Sequence, residues 1–354
     1  AVARRSRIFC GAAALVVAVA AAFYAIFILP RKSDAPPLKR DRIFVAAFEN
    51  RTGDPSLDRS GRLVSGLITP GILNNGVAAA VPTTTTLPLM ESAGLVGGEF
   101  KDRAKLVELA EKTHASILVA GMYYQVAEDI QFEAQIIDAQ MDEVILTLER
   151  VRGPRSEPMK AINDLQQKIL GALAIRMQAD SDLRVISEPP VYEAYVEYYE
   201  GTRRYFGVDY EKAFEHYRRA IGIDPRYAAP KLRMMVAYGN MEQWATADSI
   251  MQSIDRERDR LSPFERYMLD WFKFYLQGRL EESFAALLHT ESLAPRDAVV
   301  NYLVGLYARN LNRPARTVET YEKLDWPVHW ATSVALSWRL GVLSTAYHLL
   351  EKYE

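Results

Sequence analysis

Cysteine is nearly absent from this chain: Cys10 is the only one in 354 residues. A single thiol excludes an intramolecular disulfide and a cysteine-rich zinc site. An excess of either charge is also missing. Lys and Arg number 43 against 45 Asp and Glu, for a net charge of −2. That balance leaves no electrostatic footprint for nucleic acid and none of the acidic bias of disordered chains. Phosphate loops are lacking too. Residues 48–55 hold one glycine and no lysine, and Gly94, Gly97 and Gly98 follow no strand and precede no Lys-Ser or Lys-Thr. Histidines number five, and His216, His289, His329 and His348 share no spacing that a metal would need. His114 reads as a helix cap or surface residue. No Ser-His-Asp or Cys-His set can be assembled. The residues of this chain are therefore expected to carry no catalysis, no cofactor and no metal.

One long apolar run is present. Residues 8–29 form 22 consecutive uncharged positions rich in Ala, Val, Ile and Phe. About 20 apolar residues cross the hydrocarbon core as a helix, whereas signal-peptide apolar regions run to roughly 7–15. A membrane span is expected. Cys10 lies at the start of the run, where a lipoprotein cysteine would lie at its end, so it reads as a small apolar residue in the membrane. Arg4, Arg5 and Arg7 precede the run, and Arg31, Lys32, Lys39, Arg40 and Arg42 follow it. A raw count of these charges places the C-terminal side in the cytoplasm. Residues 31–42, with Pro36 and Pro37, read as a juxtamembrane linker able to lie against anionic lipid. The chain starts with Ala rather than Met, and the numbering is expected to begin inside a longer or processed protein.

The middle of the chain predicts an α/β domain over residues 43–178. Residues 43–48 are an apolar run of strand length, followed by a dense cluster of turn formers. Leu57, Leu63, Val64, Leu67, Ile68 and Ile72 recur at helical spacing, and Gly76 suits a left-handed cap. Residues 77–81 read as a strand. The threonines at 83–86 are placed to cap a short helix at 87–92, and 93–98 read as a loop. An amphipathic helix is expected at 102–113. Strands follow at 116–125, 130–138 and 143–151 as an antiparallel meander, which Gly153-Pro154 is expected to break. A helix at 159–177 closes the domain, and 179–191 read as a linker. Asn50-Arg51-Thr52 matches a glycosylation pattern, but a turn asparagine is the simpler reading.

These residues carry a resemblance. The run Phe48-Glu49-Asn50-Arg51-Thr52-Gly53-Asp54, the run Ala115-Ser116-Ile117-Leu118-Val119-Ala120-Gly121, and Gln135-Ile136-Ile137-Asp138-Ala139 before a hairpin look like the TolB amino-terminal-type domain of bacterial envelope and signalling proteins. The hairpin departs from that family, with Met141-Asp142 where Thr-Gly is usual.

From residue 192 to the end the expectation is an all-α solenoid. Ala213, Tyr217, Ala220 and Pro225 have the Ala-x3-aromatic-x2-Ala-x4-Pro spacing of the second helix of a tetratricopeptide repeat. Gly201, twelve residues earlier, supplies the small side chain that close helix packing needs. The pattern recurs through Tyr238, Ala247 and Met251, then Gly278, Ser283, Leu287 and Pro295, then Gly305, Thr317 and Tyr321. Gly341, Ala346 and Leu350 begin a fifth repeat, giving about four and a half. Glu200 and Met235 depart from consensus.

Sixteen of the nineteen tyrosines lie beyond residue 190. Tyr217, Tyr238 and Tyr321 read as core fillers. Tyr195, Tyr198, Tyr205, Phe206, Phe272, Tyr275, Tyr302 and Leu306 fall in phase with the concave side of such an array, where aromatic side chains anchor a bound segment. For the first repeat the rival reading is packing against the preceding α/β domain. Expected partners are proteins or peptide segments in the groove, the membrane through residues 8–29, and a second copy of the chain as a candidate.

The order of span, TolB-type domain and repeats resembles the extracytoplasmic part of bacterial receptor-like proteins. Two expectations follow from that resemblance. One is a single-span protein of the bacterial inner membrane whose periplasmic domains bind protein partners, as a sensor or assembly scaffold. The other is the sensory or dimerising portion of a membrane serine/threonine kinase, cyclase or transcription regulator, with its output domain before residue 1.

Overall fold

A computed structural model describes residues 42–95, 102–177, 188–324, 326 and 334–351. The expected span at 8–29, Cys10 and residues 31–41 of the expected linker lie outside these, as does most of the 179–191 link. Among the described residues no helix is long and apolar enough to cross a membrane. What is described is an α/β domain followed by an array of paired helices.

The α/β domain is built on one mixed sheet. Its strands are β1 (Arg42–Val45), β2 (Glu49–Asn50), β3 (Ala79–Ala80), β4 (Ile117–Val126), β5 (Asp129–Asp138), β6 (Glu143–Thr147) and β7 (Val151–Pro154). They run in the order β3-β1-β4-β5-β6, with β2 also on β4 and β7 also on β5. β1 is parallel to β3 and to β4, with Ile43 opposite Ala80 and Ile117. β4 and β5 pair antiparallel along ten residues. The helices are α1 (Asp58–Asn74), α2 (Thr83–Ser92), α3 (Arg103–Lys112) and α4 (Pro158–Arg176).

The apolar run at 43–48 is unalternating because both faces of its strand are covered. Successive side chains point to opposite faces. Ile43 and Val45 join one core with Val64, Ile68 and Ile72 of α1 and Leu165 and Ile169 of α4. Phe44 and Ala46 join a second core with Met90 of α2 and Leu106 and Ala110 of α3. Phe48, fully buried, lies across the sheet between two glycines. A Cβ on Gly61 would sit 2.0 Å from the Phe48 carbonyl oxygen, and one on Gly121 would sit 2.3 Å from its ring.

The turn after Phe48 is closed by Asn50. Its Oδ1 accepts from the Thr52 amide at 2.9 Å, and its Nδ2 donates to the Asp54 carbonyl at 2.9 Å. Asn50 is thus a turn residue in this fold. His114 follows α3 with φ of 55°, and its amide donates to the Glu111 carbonyl, which places it at a helix cap.

Two expectations fail here. The threonines at 83–86 lie inside α2, whose N-cap is Pro82 with no side-chain cap bond. The third meander strand divides into β6 and β7, and Gly153-Pro154 lies within β7 instead of ending the sheet. Pro154 pairs only at the strand's end, opposite Asp129, where a missing N–H costs the ladder little. Gly153 leaves room for Ala161 of α4, 3.0 Å from where a Cβ would stand.

The array consists of α5 (Tyr192–Phe206), α6 (Tyr210–Ile223), α7 (Ala228–Asn240), α8 (Trp244–Asp255), α9 (Pro263–Leu276), α10 (Leu280–Leu293), α11 (Ala298–Asn310) and α12 (Pro314–Glu322), then α13 (Val334–Glu351). The helices of a pair touch at residues twelve to sixteen apart. Gly201 meets α6, with a Cβ there 2.7 Å from the Tyr217 ring, and Gly305 meets Tyr321 of α12 even more closely. In the second repeat Met235 and Ala247, both buried, take these places. In the third and fourth the second helix supplies a hydroxyl. Ser283 Oγ donates to the Trp271 carbonyl and Thr317 Oγ1 to the Gly305 carbonyl, both at 2.9 Å. Gly278 is not a crossing residue: it has φ of 71° in the turn between α9 and α10. Among the described residues no atom lies within 4 Å of a Cβ built on Gly341.

Two of these helices fuse the α/β domain to the array. A Cβ on Gly171 of α4 would lie 2.0 Å from the Pro190 carbonyl oxygen. Tyr192 of α5 donates to the Asn75 carbonyl at 3.3 Å. Lys168 of α4 bridges Glu149 at 3.0 Å and Glu188 at 2.9 Å, and Arg226 of the first repeat reaches Glu149 at 3.0 Å. Burial and a hydrogen bond shared with Glu149 push the Glu188 carboxyl up.

Candidate functional site

The first helices of the repeats line a groove with a volume of about 520 Å³. Its wall follows from the 3.6-residue period. On α9 the residues Met268, Trp271, Phe272 and Tyr275 share one face, and on α11 so do Val299, Tyr302, Leu303 and Leu306.

Six of the eight positions expected on the concave side meet here: Tyr205, Phe206, Phe272, Tyr275, Tyr302 and Leu306. Tyr205, Phe206 and Phe272 form the floor, each under a tenth exposed, while Tyr275 stands 36% exposed at the wall. The Tyr205 ring meets Phe206 edge-on at 5.4 Å and tilts against Tyr210 at 5.6 Å. Tyr275 contacts Trp244 at 6.1 Å and Tyr307 at 5.9 Å. Tyr302 faces Trp338 of α13 at 6.5 Å.

The other two lie elsewhere. Tyr195 belongs to the core of the α/β domain, and its hydroxyl donates to the Ala174 carbonyl of α4 at 3.5 Å. Tyr198 packs between repeats, against the Tyr217 ring at 5.9 Å and the Tyr227 ring at 5.2 Å. Both sit early on α5, where the neighbour is the α/β domain or the interior of the first repeat. The groove opens only at that helix's C-terminal end.

Sequence phase missed several lining residues: Tyr210, Arg233, Trp244, Trp271, Tyr307 and Trp338. Trp271 is legible at helical spacing, four residues before Tyr275, whereas Tyr307 stands five after Tyr302 and one after Leu306, off that stripe. Arg233 carries a different signal, a charge inside the run Leu232-Arg233-Met234-Met235-Val236.

The lining is mainly aromatic and aliphatic, with Arg233, Asn240, Glu242, Asn310 and the tyrosine hydroxyls as its polar groups. Asn240 Nδ2 donates to the Tyr205 hydroxyl at 2.9 Å. The Arg233 guanidinium stands 5.4 Å from the centre of the Tyr205 ring. Burial pushes the Tyr205 hydroxyl up to about 12 and raises that of Tyr302 as well. These phenols stay neutral at physiological pH, serving as hydrogen-bonding surface and not as nucleophiles. The histidines are engaged elsewhere: His216 Nδ1 lies 2.7 Å from Glu197, and His289 stacks on Tyr267. His329 lies outside the described residues. Among the described residues no three metal-ligating side chains cluster.

The groove also draws distant repeats together. Tyr205, Phe206 and Met234 share one apolar cluster with Ala298, Val299, Tyr302 and Trp338. Residues of the first and fourth repeats therefore belong to one apolar cluster.

No protein-family model matches this chain, and no curated protein sequence matches it. Solved structures to which parts of it are similar include the LpoB C-terminal domain from Escherichia coli, at 15% identity and a TM-score of 0.27, covering 33% of this chain and 84% of that one. Lipoprotein GNA1162 from Neisseria meningitidis is 13% identical with a TM-score of 0.28, covering 38% of this chain and 97% of that one. The MamA protein is 16% identical with a TM-score of 0.24, covering 45% of this chain and 89% of that one.

Proposed function

We propose that this chain is a single-span scaffold of the bacterial envelope whose repeat groove holds a segment of a partner protein. In this reading residues 8–29 cross the inner membrane. The α/β domain at 43–178, of the TolB amino-terminal type, and the repeats from 192 onward face the periplasm. The observation that supports the binding role is the groove itself. Aromatic side chains from several repeats converge on one concavity of about 520 Å³, within the size range of ligand sites. Large rigid rings that are partly exposed in a packed setting are the side chains that contribute most to binding.

Two experiments on the full chain test the two halves of this reading. A photoreactive benzoyl-phenylalanine at position 302 should form adducts with partner peptides in cells. The same group at position 199, where Tyr199 is 52% exposed outside the groove, should form far fewer. Equal yields at the two positions would remove the groove from the reading. For sidedness, Ser156 is exposed, and Ser156→Cys in a Cys10→Ala chain should react with an impermeant thiol reagent from the periplasmic side. Labelling only after the membrane is opened would reverse the orientation.

A further inference from the structure

Arg233 is out of place in an apolar groove. It projects from α7 among Tyr198, Tyr205 and Tyr217, part-exposed to the groove it helps to line. Among the described residues no carboxylate lies within 4.0 Å of its guanidinium. The carboxylate that feels its charge is that of Asp297, but Asp297 caps α11 by accepting from the Val300 amide at 2.9 Å. Glu242, the acid on the groove lining, is exposed. The guanidinium's partners within the chain are the Tyr198 hydroxyl and the face of the Tyr205 ring. A purely apolar occupant would close the groove over a cation that has no ion-pair partner, which is costly.

We propose that the groove selects a partner segment carrying an internal Asp or Glu side chain beside a bulky apolar residue, with the carboxylate paired to Arg233 and the apolar residue seated on Phe206 and Phe272 of the floor against Tyr275 of the wall. This rests on the binding role of the groove proposed above. The planar fork of a guanidinium matches a carboxylate through two parallel hydrogen bonds. A phosphate dianion fits less well: one arginine offsets half its charge, and Asp297 and Glu242 oppose the rest. The carboxylate is internal to the segment because Arg233 lies in the second repeat, with lining residues of the first repeat on one side and of the third and fourth on the other. A chain seated there continues in both directions.

The test is selection of a phage library of random linear heptapeptides, flanked on both sides by Gly-Ser, on the full chain in detergent. Peptides enriched on the wild type should share an acidic residue next to Phe, Trp, Leu or Met. In fluorescence anisotropy, changing that acid to its amide in the best peptide should weaken binding about 10–100-fold, the effect of losing one hydrogen-bonded charge. Arg233→Gln should cost a similar factor, and the two changes together little more than either alone. The peptide variant needs no altered protein, so misfolding of Arg233→Gln would not rescue the idea. Enrichment of peptides with no acidic preference, or a change under twofold for the amide peptide, would overturn the carboxylate selection and leave the groove standing. No enrichment on the wild type would remove the binding role of the groove and this inference with it.

Discussion

Gly171→Ala and Gly66→Ala place the same methyl group in two helices of one domain, and the structure assigns them opposite signs. In a helix interior, alanine is favoured over glycine by about 0.8–1.0 kcal/mol. At Gly66 in α1 nothing lies within 4 Å of the new Cβ, so that gain should appear nearly whole. At Gly171 in α4 the Cβ would stand 2.0 Å from the Pro190 carbonyl oxygen and 3.3 Å from the Tyr192 nitrogen. Carbon and oxygen normally approach to about 3.3 Å, so α4 and the start of α5 must part by roughly 1 Å. The obstacle is backbone and cannot rotate away. Overpacking of this kind costs about 1–3 kcal/mol, which equals or exceeds the propensity gain, so the variant should lose up to about 2 kcal/mol. The loss should also be directional. All five tryptophans, at 244, 271, 326, 330 and 338, follow residue 192 in the sequence, so their fluorescence reports the C-terminal half, whereas far-UV circular dichroism reports both parts. In urea the wild type should show coincident transitions by the two probes, and Gly171→Ala should separate them. A Gly171→Ala midpoint raised as far as that of Gly66→Ala, with coincident transitions, would mean that α4 and α5 are not in contact.

Two further outcomes can be checked by the same unfolding measurements. Thr317→Val keeps the shape of a fully buried side chain but removes its hydrogen bond to the Gly305 carbonyl, and should cost about 1 kcal/mol in urea. Asp255 is held below the usual carboxylate range by its hydrogen bond from Lys273 and then by Arg258. A depressed folded pKa gives stability that is present above the unfolded value of about 3.9 and lost as pH falls through the folded one. The midpoint gap between wild type and Asp255→Asn should therefore be open at pH 6 and close on the way to pH 3.

Periodicity was enough to place most helices of both domains, because their buried stripes are written in the residues themselves. It was also enough for the ten-residue hairpin of β4 and β5. What it could not supply came from neighbours distant in the chain. Gly153-Pro154 looks like a terminator until Ala161 is seen against Gly153 and Asp129 opposite Pro154. Tyr195 carries nearly the same phase as Phe206 on one helix, yet it packs on the α/β core because α4 lies beside the start of α5. Met235 departs from the consensus crossing residue and is accommodated by Ala247. Arg233 was passed over because a repeat pattern records which positions are apolar or small. It gives no weight to a charge set among them, and the significance of that charge emerged only when the surrounding tyrosines and the groove were assembled.

The cluster shared by the first and fourth repeats has a consequence for how the chain reaches its fold. An open solenoid is held together by contacts between adjacent units, so it can nucleate anywhere and lengthen by local steps. Here Tyr205 and Tyr302, roughly a hundred residues apart, belong to one cluster, and bringing them together carries the entropy of closing a long loop. The final closure should lag behind helix formation, raising the effective contact order and slowing folding relative to an open array of equal length. The shared cluster also links distant helices: loss of α11 or α13 would be felt at α5, the helix packed beside the α/β domain.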